Sequence, residues 1–303
     1  MSLYGVLRGV GASGFGYNSK AEEVSAGVDL AGQRWLVTGS TSGIGLETAR
    51  VLALRGATVW MAARTESKAA DAGRSFAGKI IPVACELSDP ASVRACVATV
   101  RQDAPLDGIV ANAGIMALPK LEQKHGYELQ FFTNHIGHFL LVTGLMDRLT
   151  PAGRVVMLSS AAHQAAPSVG VEFDNLSGER GYSPWRAYGQ SKLANLLFAR
   201  SLAQRLSSGQ TANAVHPGVI QTNLGRHMPA WQRASFSVFE PIFLKSVPQG
   251  AATQVWAAVN PRAASLRGEY LADCNVARAS ALGRDDALAA RLWTESERIV
   301  AAL

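Results

Sequence analysis

Only three cysteines, Cys85, Cys96 and Cys274, occur in the 303 residues. They form no C-x-x-C pair and no zinc-like spacing, and their odd number argues against a disulfide framework. A reducing, cytoplasmic setting fits such a chain. No apolar run approaches the roughly 18 residues that cross a bilayer, so no transmembrane span is expected. The opening MSLYGVLRGVGASGFGY lacks a compact apolar stretch ending in a small-residue cleavage site; about the first 25 residues read as a poorly ordered leader. Charge is also sparse, at 17% of residues, and no Lys/Arg run resembles a nucleic-acid arm, so no nucleic acid is expected as a partner. The 29 Lys and Arg against 23 Asp and Glu leave a net +6, a mild excess suited to an anionic small molecule. With 48% hydrophobic residues the chain has too much to bury to stay disordered. Internal repeats and low-complexity linkers are absent.

From Gln33 onward short apolar runs alternate with longer amphipathic stretches. Strands are expected at Trp35 to Thr38, Thr58 to Ala62, Ile80 to Ala84, Gly108 to Ala111, Arg154 to Ser159, Ala212 to His216 and Glu269 to Leu271. Most are apolar throughout, as strands covered on both faces are. Helical spacing marks Gly45 to Arg55, Ser88 to Arg101, Gly126 to Leu149, Ala187 to Leu206 and Pro248 to Ala258. The alternation predicts an α/β fold: a Rossmann-type doubly wound parallel sheet of about seven strands with helices on both faces. The division is an extension over residues 1–30 and one catalytic domain over 31–303. Two segments break the rhythm. His163 to Trp185 is rich in Gly, Pro and Ser. Gly225 to Val247 mixes Trp231, Phe236, Phe239, Ile242 and Phe243 with Pro229 and Pro241. Both are expected to wall a substrate pocket, the second as a mobile loop, with a surface helical hairpin or a membrane contact as its alternatives.

TGSTSGIG, Thr38 to Gly45, directly follows the first strand and opens a helix. Gly39 permits a tight turn, Gly43 lets the backbone approach a pyrophosphate and Gly45 allows close helix packing, while Ser40, Thr41, Ser42 and Ile44 complete a loop at a helix N-terminus with free N–H groups. Dinucleotide sites commonly place an acid at the end of the second strand to hold the adenosine ribose. Here that place reads Ala62, Ala63, Arg64. Without a carboxylate, and with Arg64 able to face a 2′-phosphate, NADP is favoured and NAD is the alternative.

YGQSK sets Tyr188 and Lys192 four residues apart, on one face of a helix. A phenol near an ammonium is drawn towards its ionised form: at about 4 Å and an effective dielectric near 20 the attraction is roughly 4 kcal/mol. Such a pair is expected to lower the tyrosine pKa towards about 7 and make it a proton donor and acceptor near neutrality.

With NAGIM (Asn112 to Met116), NHIGHFLL (Asn134 to Leu141), LSS ending at Ser160, and HPGVIQT (His216 to Thr222), these motifs stand in the order of the short-chain dehydrogenases/reductases, which Gln33 to about Asn275 resembles. The 28-residue spacing from Ser160 to Tyr188 is similar to that of the branch with retinol dehydrogenases, WW-domain oxidoreductase and protochlorophyllide reductase. The resemblance implies that Tyr188 donates and accepts the proton, that Lys192 supports it and holds the nicotinamide ribose, that Ser160 polarises a substrate carbonyl and that Asn134 supports a proton relay through water. It further implies that Asn112, Ala113 and Gly114 line the adenosine side, and that Pro217, Gly218, Val219, Ile220 and Thr222 close over the nicotinamide. Glu86, beside Leu87, stands where the family usually has an Asp facing adenine, so one extra methylene must be accommodated.

Ser159 reads as a strand-end neighbour of Ser160, and His135, His138, His163 and His216 as structural residues, since no carboxylate has ligand-like spacing to them. Three functions compete: an NADP-dependent oxidoreductase of a lipophilic carbonyl or alcohol, a dinucleotide-sensing regulator without turnover, and a carbon–carbon double-bond reductase. The resemblance also allows a homodimer or homotetramer.

Overall fold

The computed structural model describes residue 5, residues 9–220 and residues 244–303. In chain order its elements are helix α1 (Ala21–Val24), β1 (Arg34–Thr38), α2 (Gly43–Leu54), β2 (Thr58–Ala63), α3 (Glu66–Gly73), β3 (Ile80–Ala84), α4 (Pro90–Val100), β4 (Leu106–Ala111), a small β5–β6 hairpin (Gln123–Lys124 and Tyr127–Glu128), α5 (Leu129–Phe131), α6 (Gly137–Thr143), β7 (Leu149–Leu158), α7 (Pro184–Arg205), β8 (Thr211–His216), α8 (Val247–Val259), β9 (Tyr270–Ala272), β10 (Asn275–Val276) and α9 (Asp286–Ala301). The main sheet runs β10-β9-β8-β7-β4-β1-β2-β3. Every pair in it is parallel except the short edge strand β10. The expected doubly wound fold is present, and β10 is its eighth strand.

The two-residue period of the strands explains why helices cover both faces. Leu36, Ile109, Val155 and Met157 project to one side, where they meet Val93, Phe139, Phe198 and Trp293. Their neighbours Val37, Val110 and Val156 project to the other, against Val51, Leu52, Val255 and Trp256. Each such aliphatic side chain, fully buried, contributes about 1.5–3 kcal/mol. Because β1 pairs with both β2 and β4, the chain leaves the sheet centre in two directions. The carboxyl ends of β1 and β4 therefore flank an open crevice.

Three expectations need correction. The leader is not poorly ordered over residues 9–30: Ala21 and Val24 are buried against α8, Asn260 Nδ2 donates to the Val24 carbonyl at 2.8 Å, and the Ser13 amide donates to Asn275 Oδ1 at 3.0 Å. The helix expected over Gly126 to Leu149 is broken, since Phe132–Ile136 winds as a π turn and β7 already begins at Leu149. A close approach accompanies the break: a Cβ on Gly137 would lie 2.3 Å from the Leu87 carbonyl oxygen. Finally, α3 and α9 add to the expected helices. The α9 helix is capped by the Asp285 side chain, which accepts from the Leu288 amide, and it buries Ala289, Leu292, Trp293 and Ile299 at helical spacing.

Candidate active site

The glycine loop connects β1 to α2 at the crevice. Gly39 and Gly43 have φ of +65° and +56°, which L side chains rarely adopt. Gly45 is needed for packing instead, because a Cβ there would come within 2.3 Å of both Asn112 Nδ2 and the Gly39 carbonyl oxygen. Thr38 ties this loop to the end of β4. Its Oγ1 accepts from the amides of Asn112 and Ala113 at 2.9 and 3.0 Å, and Asn112 Nδ2 donates back to the Thr38 carbonyl at 2.9 Å.

A cavity of about 370 Å³ runs along this seam, with Gly43, Arg64, Glu86, Asn112, Gly114 and Leu158 among its walls. Of the residues expected to hold a dinucleotide, Gly39, Thr41, Ser42, Ile44, Gly45, Leu87 and Ala113 also line it. Ser40 does not; it is buried behind the loop and its hydroxyl donates to the Ala62 carbonyl. Nor do Pro217, Gly218, Val219 and Ile220, which form a separate strip where the Val219 carbonyl accepts from the Lys245 amide at 2.9 Å. Thr222 and residues 225–243 of the expected substrate loop lie outside the described residues.

The far end of the cavity is cationic. Arg64 and Lys68 are both exposed there, and among the described residues neither has a carboxylate partner. Lys68 carries no signal in the sequence, because only the turn after β2 brings the first turn of α3 back to the groove. Glu86 spends its extra methylene on a local turn: Oε1 accepts from the Ser88 amide and hydroxyl at 3.0 and 2.9 Å. One further wall residue, Thr133, buries a hydroxyl that has no partner among the described residues. A groove with an open glycine loop, a hydroxyl without a partner among the described residues and two exposed cations at one end fits a dinucleotide.

At the other end Asn134, Ser160, Tyr188 and Lys192 converge. The π turn presents Asn134, whose Oδ1 accepts from the Ile115 amide at 2.8 Å and whose Nδ2 donates to the Ile115 carbonyl and to Ser191 Oγ, both at 2.9 Å. Ser191 in turn donates to the Tyr188 carbonyl. Tyr188 is only 6% exposed, and the Ser160 side chain caps the turn after β7, its Oγ accepting from the Ala162 amide at 3.1 Å. Lys192 Nζ donates to the Leu158 carbonyl at 3.0 Å and lies 5.7 Å from the centre of the Tyr188 ring. Gly114 leaves the gap between groove and tetrad open, since a Cβ there would stand 3.1 Å from Asn134 Oδ1 and 3.4 Å from Lys192 Nζ. Ser159 is the expected strand-end neighbour, donating to the Lys192 carbonyl at 2.7 Å.

Burial overrides the pair attraction expected between phenol and ammonium. It pushes Tyr188 up to about 12, against a smaller opposing effect of the Ser160 side chain, and pulls Lys192 down to about 7. The phenol is therefore protonated at neutral pH, not poised near 7.

The histidines pack as parts of the fold. Burial lowers His135 to about 3, His138 and the half-buried His216 to about 4, and His163 in the same direction. An unfolded histidine, near 6.5, takes up its proton first, so the stability these groups contribute is complete above that pH and is lost as pH falls towards about 4. The urea midpoint should accordingly drop across that window, with buried Glu128, raised by desolvation, acting oppositely as a single group. A flat midpoint between these pH values would contradict the burial of the histidines.

The profile of the short chain dehydrogenase family matches residues 33–233. Short-chain dehydrogenase TIC 32 A, chloroplastic, of Brassica napus is 40% identical over 325 aligned positions, covering 100% of both chains. Human retinol dehydrogenase 14 is 34% identical, with 90% of this chain and 88% of that protein covered. Among solved structures, a short chain dehydrogenase from Burkholderia cenocepacia in complex with NADP superposes with a TM-score of 0.65 at 25% identity, covering 80% of this chain and 96% of that one.

Proposed function

Because the chain belongs to the short-chain dehydrogenase/reductase family, we propose that it is an NADP-dependent oxidoreductase interconverting a lipophilic carbonyl compound and its alcohol. The observation that carries this reading is that Gly114, a wall of the groove that also holds Arg64 and Lys68, borders Asn134 and Lys192, whose Nζ lies 5.7 Å from the centre of the Tyr188 ring. Gly39, Gly43 and the amides that open α2 would hold the pyrophosphate, Glu86 and Leu87 the adenine, Asn112 to Gly114 the adenosine side, and Pro217 to Ile220 with Thr222 the nicotinamide side. Bound there, the nicotinamide supplies or accepts the hydride.

The protein's own contribution is proton handling and orientation. Ser160 Oγ donates to the substrate oxygen and holds it against the phenol. Tyr188, protonated at neutral pH, is set to give its proton to that oxygen, which suits carbonyl reduction. Lys192, with its pKa near 7, is able to hold or release a proton at the same pH. Lys192→Ala should therefore damage two properties at once. Loss of a charge-assisted hydrogen bond, about 1.5–3 kcal/mol, corresponds to roughly 10- to 150-fold in NADPH affinity, with turnover falling as well. Unchanged NADPH affinity in that variant would remove Lys192 from the ribose site.

Trp185 is 40% exposed and stands edge-on to Tyr188 with ring centres 6.2 Å apart, which favours a flat or extended hydrophobic substrate. Retinol dehydrogenase 14 carries such a substrate in its name. Purified protein with NADPH should consume the cofactor with all-trans-retinal or decanal and not with a small hydrophilic aldehyde. No consumption with any carbonyl, together with tight NADPH binding, would favour a dinucleotide sensor, and consumption only with conjugated enones would favour double-bond reduction. Among the described residues no helix is long and apolar enough to cross a membrane. A cytoplasmic enzyme is the location we propose, although the Brassica relative is named chloroplastic, and sedimentation should distinguish a monomer from the proposed homodimer or homotetramer.

A further inference from the structure

His138 lies outside the groove walls, fully buried on α6, yet it touches both halves of the site. Its Nε2 is 2.9 Å from Thr38 Oγ1 and its Nδ1 is 2.8 Å from the Asn134 carbonyl oxygen. The hydrogen bonds determine its tautomer. Thr38 Oγ1 already accepts two backbone N–H groups, from Asn112 and Ala113, which occupy both lone pairs. The only bond left to that hydroxyl is donation of its own proton, so Nε2 must accept. Nδ1 then carries the ring proton and donates to the Asn134 carbonyl, which can only accept.

We propose that His138 is a positioning residue that holds the cofactor loop and the Asn134 turn in register, through a Thr38 O–H to Nε2 bond on one side and an Nδ1–H to Asn134 bond on the other. On the Thr38 side, an acceptor for the hydroxyl proton leaves both lone pairs facing the Asn112 and Ala113 amides, which form the wall under the adenosine half of the groove. On the Asn134 side, the bond ties down a carbonyl inside a π turn, where the regular helical ladder is interrupted. The same turn aims the Asn134 amide at Ile115 and Ser191, and through Ser191 at the Tyr188 backbone. Protonation would place an N–H against an oxygen with no free lone pair, and burial together with the charge of Lys192 keeps the ring neutral. The assignment of Asn134 to proton handling rests on the oxidoreductase reading, whereas the two hydrogen bonds of His138 do not.

Two variants separate the two bonds, because an Asn amide reproduces the Nδ1 position of the ring and a Gln amide the Nε2 position. His138→Asn should keep the Asn134 bond and lose the Thr38 bond, raising the NADPH dissociation constant about 10-fold by nicotinamide fluorescence while kcat with decanal changes about two-fold or less. His138→Gln should do the reverse, lowering kcat about 10-fold at nearly unchanged NADPH affinity. Equal losses in both parameters for both variants, or a fall in thermal stability alone, would overturn the proposal. The unmodified protein supplies a test that does not depend on turnover or on variant folding. Nitrogen-15 spectra of histidine-labelled protein at neutral pH should show two buried rings as the neutral Nδ1–H tautomer, His138 and His163, whose Nδ1 faces the Ser160 carbonyl at 2.7 Å and whose Nε2 accepts from the Ser280 amide at 3.1 Å, and only the His138 resonances should move in Thr38→Ser or Thr38→Val. An Nε2–H tautomer or an imidazolium at His138 would overturn it even if the oxidoreductase reading stands. Absence of any carbonyl turnover alongside the expected tautomer and NADPH effect would instead retain the Thr38 link and sink the oxidoreductase reading.

Discussion

Tyr188→Phe should lower kcat with a hydrophobic aldehyde by about 10²- to 10⁴-fold, the range spanned by general acid–base groups, while leaving NADPH affinity within a few-fold of the unmodified protein. The substitution removes one oxygen and keeps a ring that is only 6% exposed and packed edge-on against Trp185. The groove that would hold the phosphates, from Gly43 to Glu86, is lined by residues other than Tyr188. Binding and chemistry should consequently separate. Thermal stability should fall by little, because a single hydroxyl is lost, and a hydrogen bond is worth about 1 kcal/mol net. The measurement is a pair of titrations on one preparation: NADPH fluorescence for affinity and loss of nicotinamide absorbance for turnover. Turnover within a few-fold of the unmodified enzyme would eliminate Tyr188 as the proton-transferring group.

The sequence carries its plainest signals where a residue type is required by backbone geometry. The positive φ of Gly39 and Gly43 demands glycine, so the phosphate loop is written into the spacing of three letters. Tyr188 and Lys192 are similarly legible because a four-residue interval places two side chains on one helical face. Packing leaves no such local trace. Nothing in VSAGVDL announces that Val24 is buried and its carbonyl held by Asn260, more than two hundred residues away. The interrupted helix around Asn134 coincides with the contact between Gly137 and the Leu87 carbonyl, a meeting of two segments that neither encodes alone. The direction of the Tyr188 shift is hidden for the same reason. A sequence shows that a cation lies four residues from a phenol, but it does not show that both are buried, and burial outweighs the attraction. Lys68 is a further case, an ordinary surface lysine until β2 and α3 fold it towards the groove.

Cofactor choice should be strongly biased, with NADP preferred over NAD by roughly 10- to 150-fold in kcat/KM, the equivalent of about 1.5–3 kcal/mol from a charge-assisted hydrogen bond to the 2′-phosphate. At the end of β2, Ala63 lines the cavity without a group able to accept from a free ribose hydroxyl. Arg64 and Lys68 come next along the chain, both exposed on the same wall, so an incoming phosphate need not displace an internal carboxylate from either. Salt should weaken the preference, since exposed charges are screened over about 10 Å at 0.1 M ionic strength. Replacing Ala63→Asp together with Arg64→Ala should invert the order: the new carboxylate repels the 2′-phosphate and accepts from the hydroxyl of NAD, while one of the two cations is gone. Lys68 remains in that double variant and tempers the inversion, and adding Lys68→Ala should deepen it. Steady-state kinetics with both cofactors, at low and high salt, reads all of these effects. Equal efficiency with NAD and NADP in the unmodified protein would show that Arg64 and Lys68 serve solvent, leaving the fold and the Tyr188 chemistry in place but removing the basis for an NADP enzyme.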